Sequence, residues 1–102
     1  MPEPTHATLA TFRMDLAREA EQRSGLEQMI VPGVKQHAGF VAGTWTLDRE
    51  TSESFVMLTY SSQESAEEMR ENILANADNQ RFVGIDLVGV RVLEVSASAM
   101  AI

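Results

Sequence analysis

The sequence has no cysteine, few aromatic residues and a shortage of positive charge. Because cysteine is absent, disulfide bonds and thiolate metal sites are excluded, and a reducing cytoplasm is the expected location. Eight basic against fifteen acidic side chains give a formal net charge of −7. This charge argues against nucleic acid and anionic membrane surfaces as partners, since both require a basic face. No apolar run approaches the roughly 20 residues that span a bilayer, so no membrane segment is expected.

The 102 residues are expected to form one domain. Their hydrophobic share of 44% and charged share of 23% are ordinary for a globular protein. Pro2 and Pro4 near the start, and a small, mixed composition at the end, predict flexible tails at residues 1–6 and 97–102.

The segment Gly39–Ser61 organises the chain, because two runs rich in β-branched and aromatic residues flank a polar connector there, as in a β-hairpin. Alternating patterns predict strands over residues 7–14, 39–48, 54–60 and 85–95. Helical periodicity follows Asp15, a suitable N-cap, and Pro32-Gly33 is expected to end that first helix. A second helix is expected to begin at Ser61 or Ser62, where Ser61 and Glu64 have the spacing of a capping box, and to fade near Ala77.

The resulting order, β-α-β-β-α-β, predicts an α+β, ferredoxin-like fold. Its four-stranded antiparallel sheet carries both helices on one face. The predicted strands are apolar on both sides, yet the chain has no further element to cover the second face. We therefore expect a homodimer in which the sheets of two copies pack face to face.

Two stretches carry a resemblance to a known family. The first runs from Pro32-Gly33 to Gly39-Phe40-Val41 and on to Trp45; the second runs from Phe55 to Tyr60 and into Ser61–Ala66. Together they resemble the dimeric α/β-barrel superfamily, and most closely its antibiotic-biosynthesis-monooxygenase-like branch. The resemblance implies a barrel made by two subunits. It also implies functions that range from cofactor-independent oxygenation of quinol-like aromatics to haem degradation and isomerisation.

Two residues depart from the family pattern and bear on the functions that the resemblance implies. Met69 stands near the position where that branch often carries a histidine, and Tyr60 replaces a common tryptophan. The missing histidine argues against haem ligation, so no cofactor is expected. No His-x-x-x-His or Glu-x-x-His spacing indicates a metal site.

The first functional hypothesis is a cofactor-free monooxygenase or isomerase that acts on a small aromatic or quinone-like compound. Its alternative is a non-catalytic ligand-binding or structural homodimer. Under the enzyme hypothesis the substrate lies between sheet and helices and contacts six residues: Trp45, Tyr60, Arg13, Arg91, Met69 and His37.

Each of these residues also has an ordinary structural interpretation. Trp45, Tyr60 and Met69 could simply fill the core. His37 could be a general base at the pocket mouth or a solvated loop residue. Arg13 and Arg91 fall in apolar strands, where they could clamp an anion or phenolate. They could instead pair with a carboxylate, namely Asp86, Glu94 or one on a second copy.

Overall fold

A computed structural model describes residues 3–101 and contains one four-stranded antiparallel sheet. Its strands are β1 (His6–Met14), β2 (Phe40–Trp45), β3 (Glu53–Tyr60) and β4 (Ile85–Glu94), in the spatial order β2-β3-β1-β4. The helices are α1 (Glu19–Gly25), α2 (Val31–Lys35), α3 (Gln63–Ala75) and α4 (Ala77–Arg81). This architecture confirms the predicted α+β, ferredoxin-like fold. None of the helices in the described part of the chain is long and apolar enough to cross a membrane.

The sheet has one face covered by helices and one open face. Strand register sets Ala10 beside Val56 of β3 and Val90 of β4, so these three side chains share the covered face. Leu9 lies beside Met57 and Arg91 on the open face.

The core lies between the covered face and the helices. Val34 of α2 and Ala66 and Met69 of α3 pack there against four buried sheet residues: Ala10, Val56, Leu58 and Tyr60. The Thr8 hydroxyl, fully buried in β1, donates a hydrogen bond of 2.7 Å to the carbonyl oxygen of Ala66. This bond fixes the start of α3 over the middle of the sheet.

The first helical region differs from its prediction, because it does not end at Pro32-Gly33. Asp15 caps it as expected, and its carboxylate accepts from the Ala17 amide at 3.1 Å. A 3-10 turn (Leu16–Arg18), α1, a π-helical turn (Leu26–Ile30) and α2 then follow without a break. Pro32 lies in the first turn of α2, directly after the π-helical turn.

The second helical region begins at the second of the two serines that the sequence offered as a start. Ser62, not Ser61, is the N-cap of α3, and its hydroxyl accepts from the Ser65 amide at 3.2 Å. The expected pairing of Ser61 with Glu64 is therefore wrong. After Ala75 the chain does not simply fade but forms the short helix α4.

The predicted strands are confirmed, but β2 is shorter than expected, ending at Trp45, after which Asp48 and Glu53 form an isolated bridge. Irregularities interrupt the pairing between Phe40 and Ala42 in β2 and beside Thr11 of β1, opposite Gly89. Phe40 therefore lies on the same face as Tyr60 and packs against the core.

The predicted tails are only partly described. Residues 1, 2 and 102 lie outside the described residues. Within the first predicted tail, Thr5 is already hydrogen-bonded to the sheet. The Thr5 amide donates to the carbonyl of Tyr60, and the Thr5 carbonyl accepts from the Val95 amide, both at 2.8 Å. Flexibility of the two tails remains a prediction.

Candidate functional site

A cavity of about 710 Å³ lies between the covered face of the sheet and the helices. Residues 16–35 form one wall, α3 and α4 form the opposite wall, and the sheet forms the floor. Most of the lining is apolar, including Phe12, Val56 and Leu58 from the sheet and Leu26, Ile30 and Ile73 from the helices. Because these side chains leave the space open, the core of this protein contains room for a small molecule.

Trp45 lines the cavity from the end of β2, as the functional interpretation requires. Its ring occupies space that a glycine leaves free. A Cβ atom built on Gly43 would lie 3.1 Å from the Trp45 ring and 2.9 Å from a methyl group of Leu58. Gly43 thus permits a close approach of the indole to the strand, which sets the position of the only tryptophan in the chain.

His37 also lines the cavity, from the turn that follows α2. Its Nε2–H donates to the carbonyl oxygen of Ser65 at 3.3 Å, and Nε2 lies 3.8 Å from a carboxylate oxygen of Glu68. The ring stands edge-on to Tyr60, with 5.5 Å between centroids. Contacts from β3 and α3 therefore hold a histidine that sequence reasoning placed in a loop.

Tyr60 lies behind His37 and is not part of the cavity wall. The side chain is completely buried at the end of β3, and its hydroxyl has no hydrogen-bond partner among the described residues. Burial raises the pKa of Tyr60 to about 12. At neutral pH this residue is consequently a neutral phenol whose ring packs against His37 and Phe40.

Met69 is buried in α3 and lines the cavity at its inner end. The predicted Arg13 and Arg91 lie elsewhere, since strand alternation points both away from the helices. Within residues 3–101, neither guanidinium has a carboxylate within 4.0 Å, and Asp86 pairs with Arg81 at 3.6 Å instead. The structure therefore brings Trp45, Met69 and His37 together and separates the two arginines from them.

The rim of the cavity contains residues that sequence reasoning missed. Gln22 of α1 is buried, and its amide nitrogen donates to the carbonyls of Asp15 and Val83, both at 2.9 Å. These bonds join α1 to the residue that follows β1 and to a residue just before β4. The sequence did not predict the burial of Gln22, because its neighbours in α1 are mostly polar and charged.

A second group of missed residues comes from the junction of α3 and α4. The amide side chains there that line the cavity are Asn72, Asn76, Asn79 and Gln80. Their clustering was visible in the sequence but indicated only the end of a helix.

An ion-pair network closes the rim near the β2–β3 turn. Arg49 in that turn donates to both carboxylate oxygens of Glu19, at 3.1 and 2.6 Å, and Arg23 lies 3.3 Å from the same carboxylate. The hydrogen bond from Arg49 lowers the pKa of Glu19 below its ordinary value, with the charges of Arg49 and Arg23 adding to the effect. Among residues 3–101, no three His, Cys, Asp or Glu side chains converge as a metal site would require.

Comparison with known proteins shows similar folds among solved structures but no close relative in sequence. No protein-family model matches the chain, and no curated protein matches it in sequence. Among solved structures, the chain is similar to a candidate antibiotic biosynthesis monooxygenase from Deinococcus radiodurans, with a TM-score of 0.71, 12% identity and coverage of 95% of this chain and 98% of the other.

Two further structures show the same fold. A monooxygenase from the gene ActVA-Orf6 of Streptomyces coelicolor, in complex with nanaomycin D, matches with a TM-score of 0.64 and 12% identity over 100% of this chain and 95% of the other. A dimeric ferredoxin-like protein from an uncultured marine organism matches with a TM-score of 0.66 and 11% identity over 95% and 99%. The resemblance in fold to antibiotic-biosynthesis-monooxygenase-like proteins is thereby confirmed.

Proposed function

We propose that the cavity binds a small aromatic or quinone-like compound and that the protein acts on it as a cofactor-independent monooxygenase. The observation that carries the proposal is the open, mainly apolar cavity at Trp45. Its volume of about 710 Å³ lies within the range of about 300–1,000 Å³ that is typical of small-molecule sites. A planar, apolar ligand suits walls made of aliphatic and aromatic side chains.

The proposed chemistry needs a base and no resident redox group. In such an oxygenation, one oxygen atom of O₂ enters the substrate and the other leaves as water with two substrate hydrogens. The substrate therefore supplies all four electrons that reduce O₂, including the two that an external reductant provides in other monooxygenases. His37 is the candidate base: the Ser65 carbonyl can only accept, so Nε2 carries the proton of the neutral ring and Nδ1 is left to take up a substrate proton. The Glu68 carboxylate at 3.8 Å would then face an imidazolium.

The structural neighbours support this proposal at the level of the fold. Two of them are named for monooxygenase activity, one of these with a bound ligand. A similar protein from Nitrosomonas europaea, with a TM-score of 0.68 and 14% identity over 100% of this chain and 99% of the other, has no known function.

Ligand binding can be tested through the fluorescence of Trp45, the single tryptophan. We expect 2-methyl-1,4-naphthoquinone to quench it with a saturable dependence on concentration. Ile73→Phe, which adds volume inside the cavity, should weaken this quenching strongly. Leu74→Phe is the matched control, since Leu74 is 42% exposed and lies outside the cavity. Equal quenching of both variants and the wild type would exclude the cavity as the binding site.

Turnover can be tested with a naphthohydroquinone in an oxygen electrode, with autoxidation subtracted. Consumption of O₂ above background, lost in His37→Gln without loss of quinone binding, is the expected result. Saturable binding without any turnover would instead establish a non-catalytic ligand-binding protein, the alternative that the sequence left open.

We further propose that the open face of the sheet is covered by a second copy of the chain. Phe55 and Met57 of β3 lie on this face and are 41% and 38% exposed, and Val88 of β4 is 56% exposed, which is unusual for the sheet of a lone domain. Arg13 and Arg91 on the same face have no carboxylate within 4.0 Å in residues 3–101, so both are available to carboxylates of a second copy. The similarity to a dimeric ferredoxin-like protein supports this assembly.

The assembly can be tested by sedimentation or light scattering at micromolar concentration. We expect a dimer, and we expect Phe55→Glu to dissociate it because the carboxylate would be buried without a partner. Phe82→Glu is the control, since Phe82 is 79% exposed but lies outside the sheet. A monomeric wild-type protein would contradict the proposal. Cytoplasmic location likewise remains our proposal.

A further inference from the structure

The indole ring of Trp45 lies back along β2, over Gly43. Strand register sets Gly43 opposite Leu58, which is buried in the core, so position 43 lies on the covered face. Trp45, two residues further along β2, lies on the same face. A Cβ atom at Gly43 would lie 3.1 Å from both Cη2 and Cζ3, the outer atoms of the indole ring. The ring therefore extends from its own strand position to the preceding position on this face.

This direction brings the indole ring towards His37. The His37 ring stands edge-on to Tyr60 at 5.5 Å, and Tyr60 follows Leu58 on the covered face of β3. Two residues of a strand span about 6.6–6.8 Å. The strand position at which His37 packs is therefore next to that of Gly43. Since Trp45 and His37 both line the cavity, their rings border one short stretch of it.

A side chain at position 43 would change this arrangement. Its Cβ atom would lie 2.9 Å from a methyl group of Leu58 and 3.1 Å from the indole ring. Both distances are below the optimal carbon–carbon separation of about 3.5–4.0 Å, so the methyl group and the ring must both retreat. The strands form the floor, and the open space above them is the cavity. A retreating indole ring therefore enters space that a ligand would occupy.

We propose that Gly43 is a positioning residue for the ligand. Because it lets the indole ring lie against β2, it keeps open a ring-binding subsite between Trp45 and His37. An aromatic ligand in this subsite packs against the indole and has one edge at the histidine. The inference rests on the proposed function, because it places the ligand of that function within the same cavity. Glycine weakens the interior of a strand, and a close approach of another group is a common reason for its presence there.

The test is a double-mutant cycle in which calorimetry measures binding of 2-methyl-1,4-naphthoquinone, because variants without Trp45 lose the fluorescence signal. Gly43→Ala should weaken binding by about tenfold or more, since one methyl-sized change in an apolar site alters affinity by about 10- to 200-fold. In a Trp45→Leu background the same substitution should change affinity by about twofold or less, because leucine is too short to reach position 43. The Leu58 methyl group is present in both backgrounds, so the difference between them reports the indole ring. A purely structural role of Gly43 would instead weaken binding equally in both.

Gly89→Ala is the matched control. Gly89 also lies in a strand and outside the cavity, and a Cβ atom there would meet nothing within 4 Å in the part of the chain that the structure describes. This variant should leave the affinity unchanged in both backgrounds. Equal losses from Gly43→Ala in the two backgrounds, or no loss in either, would overturn the role of Gly43 alone. Absence of binding to the wild-type protein would refute the proposed function as well.

Nuclear magnetic resonance of the wild-type protein supplies a measurement that does not depend on the folding of a variant. The ring current of an aromatic ligand in the subsite should shift the resonances of the Trp45 indole N–H group and of the His37 ring together. At saturating ligand, a shift of one without the other would overturn a subsite that lies between them.

Discussion

The core contains two buried hydroxyl groups, and removing one or the other should change the free energy of unfolding in opposite directions. Thr8 and Tyr60 are both 0% exposed. The Thr8 hydroxyl donates to the Ala66 carbonyl at 2.7 Å, whereas the Tyr60 hydroxyl has no partner within residues 3–101. Removing the oxygen atom changes side-chain volume little in either case, so the difference should report the hydrogen bond itself.

The magnitudes follow from this difference in partners. Thr8→Val loses a buried hydrogen bond, and we expect the free energy of unfolding to fall by about 1–2 kcal/mol. Tyr60→Phe removes a hydroxyl that is buried away from water without a hydrogen-bond partner, which is unfavourable in the folded state. We therefore expect the free energy of unfolding to rise by about 1 kcal/mol. The two variants should therefore differ by about 2–3 kcal/mol, or by roughly 10 °C or more in Tm for a domain of this size.

Urea unfolding followed by Trp45 fluorescence measures both changes. All samples need the same protein concentration, because dimerisation would link stability to concentration. A loss of more than about 1 kcal/mol in Tyr60→Phe would refute the reasoning, since it would show that the hydroxyl is hydrogen-bonded in solution, for instance to water or to a second copy.

Two further predictions concern pH and backbone geometry. Because burial raises the pKa of Tyr60 from 10.0 to about 12, the folded protein keeps a proton that the unfolded chain loses. Stability should be full below pH 10 and fall by about 2–3 kcal/mol between pH 10 and 12, and the tyrosinate absorbance of this only tyrosine reports the midpoint directly. Gly39→Ala should destabilise the protein by about 1–3 kcal/mol in thermal or urea unfolding, because left-handed backbone strains any other residue. Gly39 has φ +80°, and an added Cβ would lie 2.5 Å from the Ser65 hydroxyl; an unchanged stability would contradict this geometry.

The fold was predictable because strand alternation and helical spacing agree along most of the chain. The element order and the location of all four strands follow from these patterns. The extent of the first helical region did not follow, because local rules treat Pro32-Gly33 as a stop. The π-helical turn places Pro32 in a first turn instead.

The site was predictable only in part. Trp45, Met69 and His37 were selected as residue types suited to a pocket, and all three line the cavity. Arg13 and Arg91 lie outside this cavity, and the sequence did not indicate this because both sheet faces carry apolar residues, so alternation could not tell which face the helices cover. The amides at the α3–α4 junction looked like an ordinary helix end, since their orientation depends on tertiary packing.

The π-helical turn also limits how the length of the chain can vary. A π turn accommodates one more residue than an α turn, so deleting one residue from 26–30 would change it to an α turn and set Pro32 inside a continuous α-helix, where proline is disfavoured. Everything after the deletion would then rotate by about 100° about the helix axis relative to everything before it. Gln22 anchors the first half to the sheet edge, and Val34 anchors the second half in the core. Since both anchors could not be satisfied at once, this region should reject single-residue deletions that the exposed residues 97–101 would accept.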